Sequence, residues 1–190
     1  MTVSSVKTGE VGLSFALNNN FMEPIATTLL SSSNTTNIVF NDIPQTYKHL
    51  QLRCLARSAR SDGGDYLAIN LNSDFGTNYS YHRLTGFGST VEASGTANGN
   101  LMVMQRLASD YYSSSIFSVF VIDILDYANT NKFKTIRSLA GLDSNSADGR
   151  IDFNSGNWRS LDSITSIYLT NSASNNFKQY SRFSLYGIKG

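Results

Sequence analysis

Eleven residues, Tyr47-Lys-His-Leu-Gln-Leu-Arg-Cys-Leu-Ala-Arg57, alternate polar and apolar side chains. Successive side chains of an extended chain point to opposite faces, so Leu50, Leu52, Cys54 and Ala56 share one face. His49, Gln51 and Arg53 share the other, whereas a helix would scatter the same residues around its circumference. A strand with one dry and one wet face belongs to an antiparallel sheet.

The pattern recurs in residues 66–72, with Leu67, Ile69 and Leu71 inward, in residues 150–154, and in residues 181–186, with Phe183 and Leu185 inward. Further strand candidates are 26–32, 37–43, 79–85, 101–107, 116–125, 132–140 and 164–170. Residues 116–125 are apolar on both faces and read as a central strand. Residues 101–107 would also suit two helical turns and are read as a strand. Turns are expected at Asp62-Gly-Gly64, Asn98-Gly99, Asp148-Gly149 and Ser155-Gly156. About ten such strands predict an all-β, jelly-roll-like antiparallel β-sandwich occupying residues 25–190 as a single domain. Leu50, Leu52, Ile69, Phe120, Phe183 and Leu185 are its expected core.

Composition points the same way. Serine, threonine and asparagine number 62 of the 190 residues, and these side chains bond their own backbone, favouring turns and strand faces over helix interiors. Lysine and glutamate, the staples of exposed helix faces, number 9. Eleven phenylalanines and ten tyrosines supply bulk for a sheet core. A net charge of +1 leaves no field to collect nucleic acid or an anionic membrane, and no stretch has the length of a membrane span or a signal-peptide core. The single cysteine, Cys54, rules out an intramolecular disulfide.

Residues 1–24 stand apart. Val11, Leu13, Phe15 and Leu17, then Phe21 and Met22, form two apolar clusters around Asn18-Asn-Asn20. They could add a strand to their own domain or form an extended arm on a partner. Because the sandwich already has enough strands to close two sheets, these six residues are expected to be assembly contacts with another subunit.

Catalysis finds little support. His49 and His82 stand in no nucleophile motif, and Cys54 alternates inward with leucines. Glu10, Glu23 and Glu92 fall in the arm and in a Gly/Ser-rich loop, while Asp123 and Asp126 are spaced to face opposite sides of a strand. Residues 143–149 miss the EF-hand pattern, with Ala147 in a ligand position and the glycine one place late. No enzyme activity, cofactor or metal is expected. Sugar binding is the best small-ligand reading: Trp158 with Asn157, Arg159 and Asp162, and separately Phe75 within Asp74-Phe-Gly-Thr-Asn-Tyr79, have the composition of a glycan contact, although a lone tryptophan at a strand end is more often a core plug.

Several segments together carry a resemblance: Pro24-Ile-Ala-Thr-Thr28, Ile43-Pro-Gln-Thr-Tyr-Lys-His-Leu-Gln-Leu-Arg53, Tyr79-Ser-Tyr-His82, Val121-Ile-Asp-Ile-Leu-Asp-Tyr-Ala-Asn-Thr-Asn-Lys132, Gly156-Asn-Trp-Arg159 with Ile164-Thr-Ser-Ile167, and Ser181-Arg-Phe-Ser-Leu-Tyr-Gly-Ile-Lys-Gly190. From about residue 23 onward the chain resembles a family of small virion proteins of tailed bacteriophages with jelly-roll-like sandwiches. The resemblance implies a non-enzymatic structural component, made in the host cytoplasm and residing in the virion. Its implied partners are other virion proteins, either the major capsid protein or tail proteins, and copies of itself, expected as a homotrimer. The expected role is a capsid decoration (cement) protein bridging capsid subunits through the arm and a sandwich edge. The alternative is a tail or fibre protein whose sandwich binds a host surface glycan.

Overall fold

The computed structural model describes residues 21–145 and 149–190. The predicted arm contacts Val11, Leu13, Phe15 and Leu17 lie outside the described residues. Twelve strands follow in chain order: β1 (Met22–Leu29), β2 (Ile38–Phe40), β3 (His49–Ala56), β4 (Asp65–Leu71), β5 (Tyr79–Phe87), β6 (Thr90–Gly99), β7 (Met102–Leu107), β8 (Ser118–Leu125), β9 (Lys134–Leu142), β10 (Arg150–Trp158), β11 (Ile167–Asn171) and β12 (Arg182–Ile188). They form an eight-stranded sheet in the order β1-β12-β3-β8-β9-β10-β5-β6 and a four-stranded sheet in the order β2-β11-β4-β7. Every strand pairing is antiparallel. The chain is the all-β, jelly-roll-like sandwich that the alternation predicts.

The core lies between the sheets, and the six predicted core residues Leu50, Leu52, Ile69, Phe120, Phe183 and Leu185 are all fully buried in it. They come from alternate positions of their strands, as the two-residue period requires. Phe177 meets Phe183 edge-on at 5.0 Å, and Tyr79 stacks on Trp158 at 6.5 Å with an interplanar angle of 17°. Cys54 is buried among these residues, and burial pushes its thiol well above the ordinary range.

Three sequence expectations are corrected. Strand β1 starts at Met22 rather than near residue 25: Met22 pairs with Ile188 and Pro24 with Tyr186, so these residues are sheet and not arm. The Gly/Ser-rich segment around Glu92 is not a loop but the edge strand β6, whose small side chains are exposed on both faces. Ser155-Gly156 is no turn but the middle of β10. A Cβ on Gly156 would sit 2.2 Å from Met102 Sδ, so the glycine gives the opposite sheet room to approach. Strand β8 occupies the middle of its sheet as expected, with its second apolar face at the surface, where Val119 is 51% exposed.

The most consequential departure is in β10, where the apolar residues face out and the polar ones face in. Ile151 is 65% exposed and Phe153 48%, whereas Asp152 and Asn154 are buried. The reason lies across the interior. Strand β7 is an edge of the small sheet, so carbonyls on its unpaired side need donors from outside that sheet. Asn154 Nδ2 donates to the carbonyls of Val103 and Met104, both at 2.9 Å. Gln105 Nε2 donates to Ser138 Oγ at 2.8 Å and to the Ser138 carbonyl at 3.0 Å, while Asp152 accepts from Thr85 Oγ1 and from Arg106 N. A buried polar seam therefore ties the two sheets together on this side. With the phase of β10 set by that seam, its apolar residues turn outward.

Candidate functional site

The register of the large sheet places those outward residues in a row with others. Leu55 pairs with Val119, Val119 with Gly141, Gly141 with Ile151, Ile151 with Gly86, and Gly86 with Val91. One step along the strands, Val121, Leu139, Phe153, Leu84 and Ala93 form a second row. Leu55, Leu84, Leu139 and Phe153 are each about half exposed, and Val91 is 74% exposed. The outer face of the eight-stranded sheet thus carries two adjacent apolar rows crossing five or more strands. The glycines in the first row leave a groove of about 1080 Å³, open to solvent and lined by Leu55, Val119, Gly141, Ile151 and Gly86. An open contiguous apolar patch of this kind on a folded chain marks an interaction surface.

A step further along the strands the same face turns polar. Gln51, Asp123, Arg137, Ser155 and His82 lie side by side. Gln51 donates to Asp123 at 2.8 Å and accepts from Arg53 Nε at 2.9 Å. A second, smaller hollow of about 260 Å³ lies among His82, Ser155 and Asn157. An apolar field bordered by a hydrogen-bonding strip has the anatomy of a protein contact surface, with its desolvating centre and polar rim.

The predicted glycan contacts do not come together. Trp158 is only 1% exposed and serves as the core plug; its Nε1 donates to Asp74 Oδ2 at 2.7 Å. A ring so covered cannot stack on a sugar. Asn157, one residue earlier in β10, points to the opposite, outer face. Arg159 is spent on the Thr77 carbonyl (2.6 Å) and Asn98 Oδ1 (2.8 Å). Phe75 is 54% exposed and packs edge-on against Tyr168 at 5.8 Å, on the small sheet's side. Burial pushes the Asp74 carboxyl up, but bonds from Trp158, Asn78 and the Gly76 N–H more than offset it and hold the group below its ordinary value.

Of the predicted arm contacts, Phe21 and Met22 are described. Phe21 is 68% exposed, with its carbonyl accepting from Lys189 N at 3.0 Å, and Met22 is half-buried in β1. The chain therefore enters the sheet at its β1 edge. His49 Nδ1 accepts the Asp126 N–H at 2.9 Å and so fastens the end of β8. Hydrogen bonds from Lys132 and Lys48 hold the Asp126 carboxyl below its ordinary range. Among the described residues no three His, Cys, Asp or Glu side chains gather as a metal-ligand set.

Sequence reading missed the apolar outer face. Its signal was the double-sided apolarity of residues 116–125, read only as the mark of a central strand.

No protein-family model and no curated protein matches this chain. Among solved structures it is similar to galectin LEC-6 of Caenorhabditis elegans, at 9% identity and a TM-score of 0.32, covering 86% of this chain and 96% of that one. A candidate pore-forming toxin from Bacteroides vulgatus shares 9% identity at a TM-score of 0.09, covering 81% of this chain and 54% of the other. Neither likeness extends to a ligand or to a functional residue.

Proposed function

We propose that this chain is a non-enzymatic structural protein of a bacteriophage virion, acting as a capsid decoration protein. The observation that carries the reading is the pair of exposed apolar rows on the outer face of the eight-stranded sheet. A surface of Leu55, Val119, Leu139, Ile151, Phe153 and Leu84 is costly for a chain that lives alone, and it suits one that spends its working life against a neighbour. In this reading the outer face sits on a capsid subunit, and the segment preceding Phe21 runs from the β1 edge to a second subunit, bridging the two. The polar strip around Asp123 and Arg137 forms the rim of the first contact and fixes its register. The tail-fibre alternative loses its aromatic platform with Trp158 in the core, and nothing in the arrangement favours it over decoration.

The test is binding of the purified chain to particles from which it has been stripped. Wild-type protein should co-sediment with them. Replacing Leu139 and Phe153 by glutamate should abolish co-sedimentation while leaving the far-ultraviolet circular dichroism unchanged. Undiminished binding of that double variant would remove the outer face from the account.

A further inference from the structure

A second feature lies on the opposite side of the large sheet. Strands β5 and β6 extend beyond the edge strand β7 of the small sheet, so their inner face is only partly covered. There, three arginines from three strands converge on one phenol, Tyr66 of β4. The guanidinium carbons of Arg83 and Arg106 lie 5.2 and 5.5 Å from the centre of its ring. Arg106 Nη1 is 3.4 Å from the Tyr66 hydroxyl, and the Arg150 charge also acts on that hydroxyl. Arg150 lies over the Phe87 ring at 4.7 Å.

Among the described residues none of these arginines forms an ion pair, while Arg57 and Arg60 each do. Arg83 Nε and Arg150 Nε are buried donors without a partner. Two carboxylates lie in neighbouring positions: Asp152 is engaged by Thr85 and the Arg106 N–H, while Asp65 accepts from the Tyr66 N–H and Ser172 through Oδ1 alone, its buried Oδ2 having no partner. Glu92, opposite Thr85 on β6, is exposed. Three like charges held together on one ring repel one another, and unpaired buried donors each have a desolvation cost. A multiply charged anion with several acceptor oxygens removes both penalties, and guanidinium forks match such oxygens in pairs. Burial pushes the Tyr66 phenol up, yet Arg106 and Arg150 bring it below its ordinary value, as expected in a field that favours negative charge.

We propose that Arg83, Arg106 and Arg150, with the hydroxyl of Tyr66, form a binding site for a tetrahedral oxyanion, a phosphate or sulfate group, free or carried as an ester on a sugar. The site is independent of the outer-face contact and does not rest on it.

The experiment is calorimetric titration of the full chain at constant ionic strength, using inorganic phosphate, inorganic sulfate, glucose 6-phosphate and glucose in separate arms. Saturable binding of phosphate or sulfate is expected, and none of glucose. Tighter binding of glucose 6-phosphate than of phosphate would identify the ester as the better ligand; equal binding would identify the free anion. Arg83→Gln, which gives up a 3.3 Å bond to Ser94 and the contact with the Tyr66 ring, should fold normally and weaken binding roughly tenfold or more. Arg150→Gln should do the same, and Glu92→Gln should strengthen binding. Heats that are absent, or that are unchanged in both arginine variants, would overturn the proposal.

Discussion

Trp158 is the core plug that a lone tryptophan at a strand end more often is, and not the sugar contact its neighbours also suggest. Its composition of neighbours, Asn157, Arg159 and Asp162, is that of a sugar contact, but the phase of β10 sends the indole inward onto Tyr79 and the asparagine outward. No local sequence rule sets that phase; it follows from the carbonyls of β7, a strand some fifty residues away. Asp74→Ala should leave the indole N–H without its acceptor and cost about 1–3 kcal/mol in urea unfolding, with no tryptophan fluorescence change on adding neutral sugars. Carboxylates set the acid response. Asp74, Asp110 and Asp126 lie below their ordinary value of 3.8 when folded, so the folded chain binds fewer protons than the unfolded one. Their contribution to stability is present above that value and is lost as pH falls through the folded values. The urea midpoint should therefore drop steadily below about pH 4, and the drop should be smaller in Asp126→Asn. A midpoint insensitive to pH in that range would contradict the assignment.

At the level of elements, strands with a continuous two-residue alternation were legible from the sequence, as β3, β4 and β12 show. Their apolar residues were numerous enough to fix which face is dry. Strand β6 was illegible because it is wet on both faces and carries no alternation to detect. Strand β10 was legible as a strand but not in its facing, since the buried seam of Asp152, Asn154, Gln105 and Ser138 replaces hydrophobic burial with hydrogen bonds between sheets. That seam predicts an asymmetry between neighbouring positions. Asn154→Ala should cost about 1–3 kcal/mol by stranding the β7 carbonyls, whereas Phe153→Ser and Ile151→Ser should each stay within about 0.5 kcal/mol of wild type. Gly156→Ala, overpacked against Met102, should cost about 1–3 kcal/mol. Equal losses at 153 and 154 in chemical denaturation would show that the facing of β10 is wrong.

For the whole molecule, every predicted core residue is fully buried and lies on one of the strands β3, β4, β8 and β12. Deleting residues 1–20 should therefore leave a folded domain whose melting temperature changes by less than about 2 °C, while association with particles or with other copies is lost. Unfolding on deletion would instead make that segment part of the domain's own core. The surface, not a pocket, is what distinguishes this chain: one broad sheet face left apolar, a polar strip beside it, and a chain entering at the β1 edge. The proposed decoration role makes a prediction about abundance. The decisive measurement is the number of copies of this chain per purified phage particle, quantified against the major capsid protein by mass spectrometry or stained gel. The decoration account predicts copies in fixed proportion to the capsid subunits, falling to none when Leu139 and Phe153 are replaced by glutamate. A handful of copies per particle, or a copy number indifferent to that change, would contradict it.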